Sequence, residues 1–260
     1  MRFPTAMSKT IEVTFTPADF NVLADRDLSQ TVCVVFDVLR ATTTMVTALA
    51  NGASAVIPVP TIEDAVAIRE QRPEVLLAGE RDGTRILAAQ SGGVDFDLGN
   101  SPREFTEDKV AGKTIVSTTT NGTRALRACA GAREVLIAGM LNLRTTANWI
   151  EANEVGHLIL VCAGTHEQAA YEDMIGAGAL CDMIWPGFVT GQVSDAAEMA
   201  RQTYRVMQRD LSSAMQFSNN ARRLMTMPEL AEDVRFCMQR ETSTILAGMN
   251  AAGEVTRIGD

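Results

Sequence analysis

Four short stretches of this chain carry residues able to do chemistry. Asp37 ends an apolar run and is followed by Arg40 and the hydroxyls Thr42, Thr43 and Thr44. Glu80, Arg81 and Asp82 stand between Gly79 and Gly83. Thr118, Thr119 and Thr120 lead through Asn121 to Arg124, and Ala163-Gly164-Thr165 leads to Glu172 and Asp173. Arg40, Arg81 and Arg124 are planar forks suited to phosphate, carboxylate or sulfonate. The threonines, with Asn100, Ser101 and Asn121, are neutral hydrogen-bond donors. Asp37, Glu80, Glu172 and Asp173 are hard oxygen donors, and Mg²⁺ takes one or two carboxylates beside water and substrate phosphate. Together these groups describe metal-assisted phosphoryl chemistry.

Each stretch taken alone also reads as local capping. Thr42–Thr44 suit the start of a helix, Asp37 suits a turn, and acids are expected in the first turn of a helix at Glu172-Asp173. Capping does not explain why arginines and carboxylates recur together at four such places. His166, just past Gly164-Thr165, is a loop residue with contact to substrate as its alternative. Asp97, beside Gly99, reads as a turn residue before it reads as a ligand.

The elements that must position these groups follow from the apolar pattern. Val32–Phe36 is an unbroken apolar run of strand length, as in a strand buried on both faces. Further strands are expected at Ile11–Phe15, Ala55–Val59, Val75–Ala78, Lys113–Ser117, Val135–Ala138, His157–Cys162 and Val255–Ile258. Helices are expected between them, over Ile62–Gln71, Ala125–Ala130, Asn142–Ala152 and from Tyr171 onward, and Asp195 to Cys237 is mostly helical in period. Thr84 to Thr106, with Gly92-Gly93, Gly99 and Pro102, is too irregular and too long for a simple connector, and such loops are often functional. The alternation predicts parallel βαβ units, with the polar turns gathered on one carboxyl edge of a sheet. There an acid, a guanidinium and the N–H groups of a helix start would face a ligand.

The chain has 260 residues, a net charge of −9 and few aromatics, 2 Trp and 2 Tyr among them. That balance excludes a nucleic-acid or membrane-surface binder, because no dense basic face is encoded. An acidic protein binds an anion only where local arginines or a metal overrule the overall field. The five cysteines are scattered through apolar segments without C-x-x-C spacing, as in reduced core thiols of a cytoplasmic protein. The first nine residues, MRFPTAMSK, lack a signal-peptide apolar region, and no run approaches the length of a membrane span. There is no G-x-x-x-x-G-K-[ST], no C-x₅-R after Cys33 or Cys162, and no H-E-x-x-H. Leu39 stands where a haloacid-dehalogenase-type phosphatase would carry its second acid.

Joined together, FDVLRATTTMVTALANGA (Phe36–Ala53), GERDG (Gly79–Gly83), FDLGNSPREF (Phe96–Phe105), TTTNGTRAL (Thr118–Leu126) and CAGT with YEDMIGAG (Cys162–Gly178) resemble the 2-phosphosulfolactate phosphatase (ComB) family. DVRFC (Asp233–Cys237) is similar to its C-terminal signature. The resemblance spans nearly the whole chain. It implies a three-layer α/β/α protein of one unit over residues 1–260, with the site between two α/β lobes, and a homodimer. It implies a Mg²⁺-dependent hydrolase that removes phosphate from 2-phospho-3-sulfolactate on the way to coenzyme M. On that reading Asp37 and Glu80 hold Mg²⁺, and Glu172 or Asp173 is a further ligand or acid/base. Arg40, Arg124 and the Thr42–Thr43 turn hold phosphate. Arg81, Asn100 and Ser101 meet carboxylate or sulfonate, with Thr119 and Asn121 as further donors. The attacking group is a water or Asp37 itself. The Gly83–Phe96 stretch is longer here than in short family versions, which bears on the substrate. The alternative is a non-catalytic binder of a phosphorylated acid built on the same edge.

Overall fold

The computed structural model describes residues 9–259; the expectation about the extreme N-terminus lies outside them, apart from Lys9. The apolar runs become strands β1 (Thr10–Thr14), β2 (Thr31–Phe36), β3 (Ala55–Pro58), β4 (Leu76–Arg81), β5 (Thr84–Arg85), β6 (Thr114–Thr118), β7 (Glu134–Ala138), β8 (His157–Cys162), β9 (Gln192–Val193), β10 (Ala247–Met249) and β11 (Val255–Arg257). They form one sheet in the order β5-β4-β6-β3-β11-β10-β7-β2-β8-β1-β9, with helices on both faces. This is the mostly parallel, helix-flanked α/β/α architecture expected.

Strand β2 shows why its sequence lacks alternation. It lies between β7 and β8, with Val34 opposite Leu136 on one side and Leu160 on the other. Val32, Val34 and Phe36 enter one apolar cluster with Leu180 and Ile184, while Cys33 and Val35 enter another with Met45 and Leu126. Both faces are covered, so both sets of alternate side chains must be apolar.

The sheet departs from a simple parallel one in its middle. β4-β6-β3 is a parallel set, as is β7-β2-β8-β1-β9. Between them the β10/β11 hairpin pairs antiparallel within itself, with β3 and with β7. Three reversals leave the two parallel sets running in opposite senses. On a flat sheet their carboxyl ends would lie on opposite edges. Six neighbour steps separate β2 from β4, and at about 20–25° of twist per step the strand direction turns by roughly 120–150°. That rotation nearly cancels the reversal and swings the two carboxyl edges toward each other. One cluster accordingly holds Val35 and Ile137 from one set, Val56 and Ile115 from the other, and Met45 and Leu126 from the helices Ala41–Ala50 and Gly122–Ala128. The expected single carboxyl edge of a parallel sheet is thus corrected to two edges brought together by twist.

Candidate active site

The turns after β2, β4, β6 and β8 open into one cleft. Its walls include Asp37 and Arg40, Glu80, Asp82 and Gly83, Thr119 to Asn121, Gly164 to His166, and the pair Glu172-Asp173. Asn100 comes from the irregular segment, and Asn220, Arg223 and Leu224 come from the helix Asn219–Met225, which covers the cleft from above. The cleft is open to solvent, and the space within it that the centre of a water molecule can occupy is about 40 Å³, room for a few waters.

The turn after β2 is built by its own side chains. Asp37 N–H donates to Thr42 Oγ1 (3.0 Å), and that hydroxyl donates back to Asp37 O (2.9 Å). Thr43 Oγ1 donates to Val38 O and Thr44 Oγ1 to Asn100 O. None of these hydroxyls caps the helix; Thr42 and Thr43 are buried and spent on the turn before it, and neither stands in the cleft wall. What they position is Asp37. Its Oδ1 accepts from Ala41 N–H (3.1 Å), while its Oδ2 has no protein donor among the described residues.

The acids differ in how they are held. Glu80 Oε1 accepts from Thr120 N–H and Oγ1 (3.1 Å each), and Oε2 accepts from Gly83 N–H (2.7 Å). Glu172 accepts from Ser218 Oγ (2.6 Å) and Asn220 Nδ2 (3.1 Å). Asp173 accepts from Val38 N–H (2.8 Å) and Gly164 N–H (3.1 Å), so it ties the turn after β2 to the turn after β8. Asp37, Glu80, Glu172 and Asp173 are 9%, 8%, 1% and 2% exposed. Crowding acids away from water disfavours their charged forms. Burial raises Asp37 to about 7, against the Ala41 hydrogen bond, and the charges of Glu80 and Glu172 push the same way. Burial first, then Glu172 and Asp37, hold Asp173 well above the usual carboxylate range.

The arginines depart from expectation. Arg40 lines the cleft, but its Nη1 donates to Asp233 Oδ2 (2.8 Å) and its Nη2 to Gly83 O (2.7 Å). The partners are 3% and 0% exposed on their side chains, a buried pair that leaves Arg40 little charge to offer a phosphate. Arg81 turns to Glu80 O and Thr118, outside the cleft wall. Arg124 lies at the surface in an ion pair with Glu167, next to the cleft-lining His166. Ser101 donates to Asp233 Oδ1 (2.7 Å) and supports Arg40 instead of facing the cleft. Asp97 lies outside the cleft, where it accepts from Arg69 and from Leu77 N–H. Of the neutral donors, Asn100, Thr119 and Asn121 line the cleft, and the Thr119 hydroxyl is buried without a hydrogen-bond partner.

Among the described residues no three His, Cys, Asp or Glu side chains form a complete metal-ligand set. The donor chemistry nevertheless fits Mg²⁺. The donors are oxygen, the acids face one cleft, and an ion of this kind completes its shell with water and substrate.

A family model described as 2-phosphosulpholactate phosphatase matches residues 20–251. The chain belongs to this family. Among its relatives, a probable 2-phosphosulfolactate phosphatase of Caldanaerobacter subterraneus subsp. tengcongensis is 37% identical over 221 residues, 84% of this chain and 88% of the relative. One of Symbiobacterium thermophilum is 38% identical over 87% of this chain and 94% of the relative. One of Thermotoga maritima is 38% identical over 78% and 82%. The matched region of the family model also takes in residues to which motif reading gave no role: Asn220 and Arg223 in the cleft wall, and Ser218 and the counter-ion Asp233 behind it. Of these only Asp233 carried a signal, in the DVRFC stretch; the others sit in ordinary helical sequence.

Proposed function

We propose that this protein is a Mg²⁺-dependent phosphoric monoester hydrolase acting on the phosphate ester of a 2-hydroxy acid, with 2-phospho-3-sulfolactate giving 3-sulfolactate and phosphate. Family membership supports the reaction type, and the relatives' names supply the substrate. The observation that carries the reading is the excess of buried acid in the cleft. A non-catalytic binder of the same ester would line its pocket with free cations. Here four carboxyls, Asp37, Glu80, Glu172 and Asp173, border the space, and of the two arginines in its wall Arg40 is neutralised by Asp233, which leaves Arg223 alone against them. A highly negative ester can enter such a cleft only together with a divalent cation.

Asp37 would hold the ion through its free Oδ2, and Glu80 and Glu172 would join it by exchanging their present hydrogen bonds for the cation. When bound, Mg²⁺ supplies positive charge against the phosphoryl oxygens. Thr119 Oγ1, otherwise an unsatisfied buried group, donates to a phosphoryl oxygen, as do the amides of Asn100 and Asn121. Asp37 Oδ2 either attacks phosphorus or takes a proton from the attacking water. In the overall reaction the P–O bond of the ester breaks. A water oxygen joins phosphorus, and a water proton ends on the released hydroxyl. Asp173 acts by positioning, since both its oxygens hold backbone N–H groups.

The same reading takes residues 1–260 as one unit with the site between the two halves of the sheet, paired as a homodimer in the cytoplasm. The five cysteines are all free and buried, in keeping with a reducing compartment. No helix among the described residues is long and apolar enough to cross a membrane. Incubation with a 2-phospho-carboxylate and Mg²⁺ should release inorganic phosphate, and EDTA should stop the release. Binding of the ester with no phosphate released would support the binder instead.

A further inference from the structure

The cleft holds one more guanidinium. Arg223, on the covering helix, lines the cleft and is partly exposed. Among the described residues it has no carboxylate within ion-pair distance, unlike Arg40 and Arg124. Its Nη2 donates to Asn220 Oδ1 (3.0 Å). Asn220 is itself fixed, because its Nδ2 donates to Leu39 O (2.7 Å) and to Glu172 Oε1 (3.1 Å). Across the gap stands Gly83. A methyl group in place of its hydrogen would come within 3.6 and 3.7 Å of Arg223 Nη1 and Nη2. The guanidinium is thus held at one end by Asn220 and laid along the Glu80–Gly83 turn. Of its five N–H groups, one is used by protein.

We infer that Arg223 is a specificity-determining residue that binds the non-reacting acid group of the substrate, carboxylate or sulfonate, and leaves the phosphoryl group to the floor of the cleft. This rests on the phosphatase reading above. Two features of the cleft support it. The buried acids and the Thr119 hydroxyl make the floor, whereas Arg223 enters from the covering helix and stays partly in water. The cleft is open to solvent, so the end of the substrate away from phosphorus has room to run toward its mouth. A planar fork with free donors beside that mouth matches the paired oxygens of a carboxylate or sulfonate.

The test compares wild type with Arg223→Gln and Arg223→Lys. Three quantities are measured with Mg²⁺ present: turnover of a 2-phospho-carboxylate, turnover of phenyl phosphate, which has no second acid, and calorimetric binding of the product 2-hydroxy acid. Arg223→Gln should raise KM for the diacid ester about tenfold or more and weaken product binding similarly. The ratio of kcat/KM for the diacid ester to that for phenyl phosphate should fall by about the same factor. Arg223→Lys, which keeps the charge and loses the fork, should fall between. Equal losses on both esters would place Arg223 on the phosphoryl group and overturn the inference. Unchanged KM and binding would overturn it too. If wild type releases no phosphate from either ester, yet Arg223→Gln still weakens acid binding, the phosphatase reading fails while the assignment of Arg223 stands.

Discussion

Asp37 concentrates the conflict between stability and chemistry. Its pKa rises from the ordinary 3.8 to about 7 on folding. Between those values the unfolded chain has lost a proton that the folded chain keeps, so stability falls as pH rises through this window. The full effect is about 4 kcal/mol as an upper bound, reached above pH 7. Asp37→Asn keeps an acceptor for Ala41 N–H and removes the buried charge. We expect the metal-free variant to melt at higher temperature than wild type at pH 8, and to lose at least about a hundredfold in turnover. A variant that melts no higher would mean that the charge is not costly; one with normal turnover would remove Asp37 from the site. Mg²⁺ should raise the wild-type melting temperature at pH 8. The rise should shrink below pH 7 as Asp37 gains its proton, and it should be small in Asp37→Asn at every pH.

The elements meet at close quarters where the two halves of the sheet touch. Gly122 opens the helix Gly122–Ala128 after β6, and its backbone lies against the turn after β2. A Cβ there would stand 2.8 Å from Asp37 Oδ2 and 2.9 Å from Ala41 Cβ. Neither neighbour has room to withdraw, because Asp37 is bound to its own turn and Ala41 begins a fully packed helix. Gly122→Ala should therefore cost about 1–3 kcal/mol in overpacking. It should also cut turnover by displacing the acid's free oxygen. Urea unfolding and phosphate release measured on the same preparation check both parts. The sequence pattern placed this helix from Ala125, three residues after its start at Gly122. The close approach of Gly122 to a carboxylate 85 residues earlier was not legible there, because that contact exists only after the sheet has twisted.

For the molecule as a unit, the C-terminal third acts as a clasp. Asp233 binds Arg40 and Ser101, and Ser218 and Asn220 bind Glu172. These contacts fasten the covering helices to the turn after β2, to the irregular segment and to the helix after β8. Asp233→Ala would leave Arg40 buried without its counter-charge, at a cost of about 3–5 kcal/mol. The midpoint of urea unfolding should fall accordingly, while Asp233→Asn, which still accepts from Ser101, should lose less. Equal stability of all three proteins would show that water compensates Arg40.

Local pattern settled a good deal. The unbroken run Val32–Phe36 meant a strand covered on both sides, and the hydroxyls behind Asp37 meant a tight strand-to-helix turn. The motif set meant the family, and the acids Asp37, Glu80 and Glu172 with Asn100, Thr119 and Asn121 meant a shared cleft. All of these depend on residues near one another in the chain or on recurring sequence. The length and direction of the strands that join the halves were beyond such reading: β10 spans three residues and carries no alternation, yet it and β11 reverse the sheet. The partners of the arginines were beyond it as well. Arg40, Arg81, Arg124 and Arg223 are alike in sequence, and each has a long side chain that can swing to several places. Which of them is neutralised, which lies on the surface and which keeps its donors for a ligand depends on where distant carboxylates come to rest when the chain has folded.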